Sequence, residues 1–236
     1  MSAGSQVDDV AVVIPARNEA DRIRQTVTAA TGLPGVGLVV VVDDGSRDGT
    51  GAVARGAGAV VLRHARNRGK AAAVQSGANA VGLVDQRERR ERPRHLLFLD
   101  ADLAESAAQA GPLADPVLAG TADMTIAVFA ATVKLGGHGL VVGLSGAGIR
   151  RAVGWQPAQP LNGQRCLTRA AFEAARPLAR GWGVETALTI DLLRQGFRVT
   201  EVEVELAHRA TGTGLPAQLH RAHQLADVAR ALAARR

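Results

Sequence analysis
Four short apolar runs, at residues 10–14, 37–42, 59–62 and 96–99, mark the first half of the chain, and the first three each lead through a polar stretch into a helical segment. After the first run Ile23, Val27 and Ala30 fall at helical spacing over residues 20–30. After the second, Asp48 and Thr50 mark a helix start, and after the third, Asn67, Arg68, Gly69 and Lys70 lead into a helix reaching about residue 81. Runs that are apolar throughout cannot keep one face in water. Strands of this kind, separated by helices, build a mostly parallel, Rossmann-like α/β sheet covered by helices on both faces.

The remaining segments are read the same way. Residues 86–94 carry seven charged side chains and a proline, so they read as an exposed connection. Residues 121–129 and 163–167 read as strands, and 170–175 and 184–194 as helices. Residues 197–206 alternate Val199, Val202, Val204 and Leu206 with Glu201, Glu203 and Glu205, as a strand with one wet face does. Residues 136–148 are too rich in glycine to be read as a helix and are expected to form a loop. Residues 216–236 form a basic amphipathic helix. At 236 residues the chain is expected to be a single domain, with a half at 1–110, a second half at 111–214 and the basic helix at 215–236.

Composition removes several function classes. Aromatic residues make up 3% of the chain and tyrosine is absent, so stacking platforms for nucleic acid are not expected. The single cysteine, Cys166, excludes an internal disulfide and a cysteine-rich zinc site, and suits a reducing cytoplasm. Lys and Arg exceed Asp and Glu by 28 to 22, a balance that favours anionic ligands or an anionic surface. No run reaches the roughly 20 apolar residues that a bilayer span requires. Arg221, Arg230, Arg235 and Arg236 in the tail suggest peripheral contact with an anionic membrane at its inner face.

The polar residues fall at the C-terminal ends of the strands, where open α/β sheets bind ligands. The first tip reads Pro15, Ala16, Arg17, Asn18, Glu19; the second Asp43, Asp44, Gly45, Ser46; the fourth Asp100, Ala101, Asp102. In a strand, residues i and i+2 share a face, so Asp100 and Asp102 are expected to point together and to grip a divalent cation or a ribose. Lys70, at a glycine-preceded helix start, adds a cation beside free backbone amides where a diphosphate fits.

In this order the segments VVIPARNEADRI (12–23), VVVVDDGSRDGT (39–50), NRGKAAAVQSGA (67–78) and LLFLDADL (96–103) resemble the nucleotide-sugar glycosyltransferases of the GT-A fold, family 2 in particular. The resemblance implies a donor-nucleotide site at Pro15, Ala16, Arg17, Glu19, Asp44, Ser46, Lys70, Asp100, Ala101 and Asp102, with Mg²⁺ or Mn²⁺ as cofactor. PLNGQRCLTR (160–169), GWGVETALTIDLLRQGF (181–197) and AHRATG (207–212) are similar to glucosyl-3-phosphoglycerate synthases and, more loosely, polyprenyl-phosphate glycosyltransferases. By that likeness His208 joins Asp102 and Asp100 at the metal, Glu185 lies beside the donor sugar, and Lys70, Asp102 and Glu185 form the catalytic set. Lys134, Gly136, Gly137, His138, Gly163, Gln164 and Arg209 face the acceptor. The implied activity is sugar transfer, with UDP-glucose favoured over GDP-sugars as donor, to a small phosphorylated or polyprenyl-phosphate acceptor, by an enzyme that forms a homodimer. The alternative is a sugar-phosphate nucleotidyltransferase. Against it, the first strand lacks the long glycine-rich, arginine-containing loop of such enzymes.

Overall fold
The computed structural model describes residues 9–129, 139–206 and 215–235, the side chains of 215–222 excepted. Seven strands, β1 (Val10–Ala16), β2 (Val36–Asp43), β3 (Val60–Arg63), β4 (His95–Phe98), β5 (Met124–Phe129), β6 (Arg165–Leu167) and β7 (Val199–Val204), form one sheet in the order β3-β2-β1-β4-β6-β5-β7. The helices are α1 (Ile23–Thr31), α2 (Thr50–Gly56), α3 (Lys70–Arg87), α4 (Asp115–Leu118), α5 (Gly139–Val153), α6 (Arg169–Ala174), α7 (Val184–Arg194) and α8 (Leu215–Ala233). Two 3₁₀ segments, Ala104–Leu113 and Gly181–Gly183, complete the elements. All neighbouring strands are parallel except β6, which runs antiparallel to both β4 and β5.

The strands alternate between two cores, as a sheet covered on both faces must. Val12, Ile14, Val41, Leu97 and Leu99 pack with Ile23 and Val27 of α1 and with Ala107, Ala110 and Leu113 of the long 3₁₀ segment. Val13, Val40, Val42, Leu96 and Phe98 face the other way, against Ala73, Ala78 and Val81 of α3, Phe172 of α6 and Leu188 of α7. Helix α3 lies close to the sheet because residue 77 is glycine. A Cβ there would collide with Val13 and press on Val42 Cγ2 at 3.1 Å. That approach carries the start of α3, and with it Lys70, to the rim of β1 and β2.

Three expectations need correction. Residues 139–153 are helical despite Gly139, Gly143, Gly146 and Gly148, because Val141, Ser145, Gly146 and Ile149 are buried. A side chain at 148 would meet Leu232 of α8, so here glycine permits helix contact rather than breaking a helix. The basic segment 86–94 is not wholly solvated: Arg94 is buried and binds Asp85 Oδ1 and Glu88 Oε2, both at 2.6 Å. Finally, β4 stops at Phe98, so Asp100 and Asp102 lie on a turn beyond the strand and the pleat does not align them.

Candidate active site
The turn carrying Asp100 and Asp102 is fixed by a buried threonine. Thr26, on α1, donates its hydroxyl to the Ala101 carbonyl at 2.8 Å and accepts from the Ala104 amide at 2.9 Å. Arg22, four residues earlier, donates to the Asp102 carbonyl at 3.3 Å. With the backbone held from below, both carboxylates are left at the rim, and Ala101 is buried between them.

Lys70 reaches across to this turn. Its Nζ donates to Asp100 Oδ1 at 2.9 Å and lies 3.4 Å from Glu185 Oε1. Burial pushes the ammonium's pKa down, but Asp100 and then Glu185 outweigh it and hold the group above its ordinary value. Glu185, buried in the first turn of α7, thus meets a cation from α3. Gly163 closes the slot: a Cβ at that position would collide with Lys70 Nζ and lie 3.5 Å from Asp100 Oδ1. Lys70, Asp100, Glu185 and Gly163, which the sequence offered as separate site residues, are thus brought together in one slot.

Both walls of this slot are tied to Arg165, which neither the strand pattern nor the tip motifs pointed to. Its guanidinium is fully buried and donates to the carbonyls of Pro160, Glu185 and Asn162 at 2.9, 3.0 and 2.8 Å, and to Thr189 Oγ1 at 3.0 Å. Burial lowers its pKa to about 10, a fall that Glu185 and Glu201 limit. One side chain therefore couples the loop ending at Gly163 to the turn bearing Glu185. The buried hydrogen bond between Ser145 of α5 and Thr186 of α7, at 2.6 Å, steadies the same turn.

The first two strand tips are also cross-linked. The Asn18 amide donates to Ser46 Oγ at 3.0 Å and the Glu19 amide to Thr50 Oγ1 at 2.9 Å, which joins the first and second tips. Arg17 is exposed, Pro15 is half-buried and Ala16 is buried with its carbonyl accepting from the Asp44 amide at 2.9 Å. Asp44 is occupied by the protein itself. Its Oδ1 accepts from the Arg68 amide and its Oδ2 from the Gly69 amide, each at 2.8 Å, and Oδ1 lies 2.7 Å from His64 Nδ1. Gln164, expected at the acceptor, is fully buried and its side-chain amide finds no hydrogen-bond partner among the described residues. Lys134, Gly136, Gly137, His138, His208 and Arg209 lie outside the described residues.

The two rim carboxylates offer hard oxygen donors of the kind Mg²⁺ and Mn²⁺ take. No group of three His, Cys, Asp or Glu side chains suited to a metal occurs among the described residues. Asp100 and Asp102 could supply only part of a ligand set, and the third expected ligand, His208, lies outside the described residues.

Helix α8 backs the site from outside. Asp227 accepts from the Trp182 amide at 3.1 Å, and a Cβ on Gly183 would lie 2.6 Å from the Asp227 carbonyl oxygen and 2.7 Å from Ala231 Cβ. Arg230 pairs with Asp227, and Arg235 forms a two-pronged pair with Asp191 of α7. Both arginines belong to the set expected to face a membrane: Arg235 is largely covered in its pair with Asp191, whereas Arg230 remains exposed. No described helix is long and apolar enough to cross a membrane.

Comparison with known proteins agrees with this layout. Glycosyltransferase AglJ of Haloferax volcanii is 28% identical over 210 residues, 87% of this chain and 65% of AglJ, so the chain spans just under two thirds of that relative. The crystal structure of glucosyl-3-phosphoglycerate synthase from Mycobacterium tuberculosis with phosphoglyceric acid superposes with a TM-score of 0.75 at 25% identity, covering 96% of this chain and 79% of the synthase. The same synthase with Mn²⁺, uridine diphosphate and phosphoglyceric acid gives 0.74 at 24% identity, covering 96% and 78%, a likeness of fold. The glycosyl transferase family 2 model matches residues 11–139, more than half the chain and the whole span from β1 through the Asp100–Asp102 turn, and the chain belongs to that family.

Proposed function
We propose that the protein transfers a sugar from a nucleoside diphosphate sugar, with UDP-glucose the favoured donor, to an anionic acceptor that is either a small phosphorylated molecule or a lipid phosphate. The observation that carries this reading is Lys70 held between Asp100 and Glu185 at the C-terminal rim of a family 2 sheet. The solved synthase that this chain resembles in fold binds uridine diphosphate with Mn²⁺ and phosphoglyceric acid, which supports the donor class and an anionic acceptor. Nucleotidyl transfer, the other activity weighed, gains nothing from the family match.

In the reaction the anomeric C–O bond to the diphosphate breaks, a new bond forms from that carbon to an acceptor oxygen, and the nucleoside diphosphate departs with the electron pair. Lys70 places a fixed positive charge where that negative charge collects, in a setting partly shielded from water. Glu185, 3.4 Å from the Lys70 ammonium, takes hydrogen bonds from sugar hydroxyls, which orients the ring against the acceptor. Asp100 and Asp102, with His208, would hold the divalent ion, which when bound supplies further charge stabilisation to the departing diphosphate. An acceptor phosphate arrives already anionic and needs no general base, whereas an acceptor hydroxyl passes its proton to the departing diphosphate.

The test is donor turnover. With Mn²⁺, the protein is expected to hydrolyse UDP-glucose slowly in water and to be stabilised by uridine diphosphate, and Asp102→Asn is expected to cut turnover by about 10²-fold or more with an unchanged melting temperature. Release of pyrophosphate instead of uridine diphosphate would establish the nucleotidyltransferase alternative. Full activity in Asp102→Asn would remove the assigned role of the turn.

A further inference from the structure
His64 follows β3, on the far side of β2 from the Asp100 turn, and none of the tip motifs includes it. Its backbone amide donates a hydrogen bond to the Asp43 carbonyl at 2.9 Å, and its ring is almost fully buried with both nitrogens engaged. Nδ1 lies 2.7 Å from Asp44 Oδ1 and Nε2 lies 3.0 Å from Ser76 Oγ on α3. A carboxylate can only accept, so Nδ1 carries the proton and points it at Asp44. Asp44 in turn holds the Arg68 and Gly69 amides, one on each oxygen.

The consequence lies one residue further on. Gly69 has φ of +87°, a left-handed geometry that turns the chain into α3, and Lys70 is the first helical residue. Two amides spent on Asp44 cannot serve a diphosphate, which leaves Lys70 and the free amides of the first turn of α3 for it. Where those groups sit depends on where Asp44 sits, and the buried imidazole sets that.

We propose that His64 is a positioning residue for donor binding, which acts through Asp44 to place the Arg68–Gly69 turn and hence Lys70 against the donor diphosphate. This inference rests on the transferase reading above. It assigns a role to a side chain that does not itself reach the donor.

The experiment measures uridine diphosphate affinity with Mn²⁺, together with donor KM and kcat, for the parent protein, His64→Ala, His64→Asn and Ser76→Ala. Loss of one buried hydrogen bond that organises the site is expected to raise Kd and KM in His64→Ala about tenfold with kcat within about threefold. His64→Asn, whose amide nitrogen can donate to Asp44 from near the Nδ1 position, is expected to recover most of the loss, and Ser76→Ala is expected to behave like the parent. A role confined to stability would lower the melting temperature and leave KM unchanged. If His64→Ala does not fold, His64→Gln, which reaches toward Ser76 rather than Asp44, takes its place in the comparison. A parent that binds uridine diphosphate alongside a His64→Ala that binds equally well, or a His64→Asn no better than His64→Ala, overturns the proposal alone. A parent with no affinity for uridine diphosphate overturns the donor reading and this proposal with it.

Discussion

Gly163 shows how little space the site leaves. Its backbone is not in the left-handed region, so alanine would be tolerated by the chain itself, yet the added methyl would collide with Lys70 Nζ and press on Asp100. Gly163→Ala is therefore expected to fold with a melting temperature close to the parent's. Donor turnover is expected to fall by about 10- to 100-fold, because Lys70 must swing away from its two carboxylates. Turnover and thermal unfolding measured side by side check this. At this scale the sequence was partly legible. Lys70, Asp100, Asp102, Glu185 and Gly163 stand in motifs at element ends, where polar side chains have no packing reason to be. Thr26, His64 and Arg165 do not stand out, since a threonine inside a helix or an arginine in a short strand looks ordinary until its partners, dozens of residues away, are known. Arg165 in particular would be read as an exposed side chain, yet it is fully buried.

Among the elements, α8 has the clearest functional consequence. It meets the Gly181–Gly183 turn through Asp227, and that turn opens α7 at the residue before Glu185 by one. Asp227→Ala leaves the Trp182 amide without this acceptor and is expected to lower stability by about 1–2 kcal/mol. It should also lower kcat several-fold by loosening Glu185; denaturant titration and steady-state kinetics on the same variant read both effects. An unchanged kcat would confine α8 to a scaffolding role. The amphipathic pattern of residues 216–236 announced a helix, but not the pairing of Arg235 with Asp191, a partner from another helix far away in sequence. Helix α5 was missed for the opposite reason. Helix propensity counts each glycine as a cost of roughly 1 kcal/mol relative to alanine, while the close packing that glycine allows against Leu232 is a tertiary effect that no local window contains.

Across the whole molecule, the two ends of the sheet divide the work. Lys70, Asp100, Asp102 and Glu185 gather at the C-terminal rim of the parallel strands, whereas Asp85, Arg94 and Arg169 form a buried ionic staple near the start of β4. Burial lowers the Arg94 pKa, but its bonds to Glu88 and Asp85 reverse that and leave it raised, so the guanidinium stays charged. Asp85→Ala removes the buried carboxylate that Arg94 and Arg169 share, leaving Glu88 to pair with Arg94, and is expected to cost about 2–3 kcal/mol of stability. Donor KM of the folded fraction should stay the same, and a shift in KM would mean that the two ends communicate. The parallel half of the sheet was legible because β1, β2 and β4 carry unbroken apolar runs that are largely buried, although the same kind of run in β3, at the sheet edge, leaves Val60 and Leu62 exposed. The order of β5, β6 and β7 was not: β6 is three residues long, and pairing direction leaves no trace in so short a stretch.

That reversed strand changes how the fold can diversify. Because β6 runs against its neighbours, the rim at that point is built by the residues leading into it, 160–164, and not by those that come after. Lengthening or shortening the connection from α5 to β6 would reshape the wall beside Lys70 without disturbing the register of β1, β2 and β4. On the transferase reading, descendants of such a chain could exchange one recipient of the sugar for another while keeping the same grip on the donor.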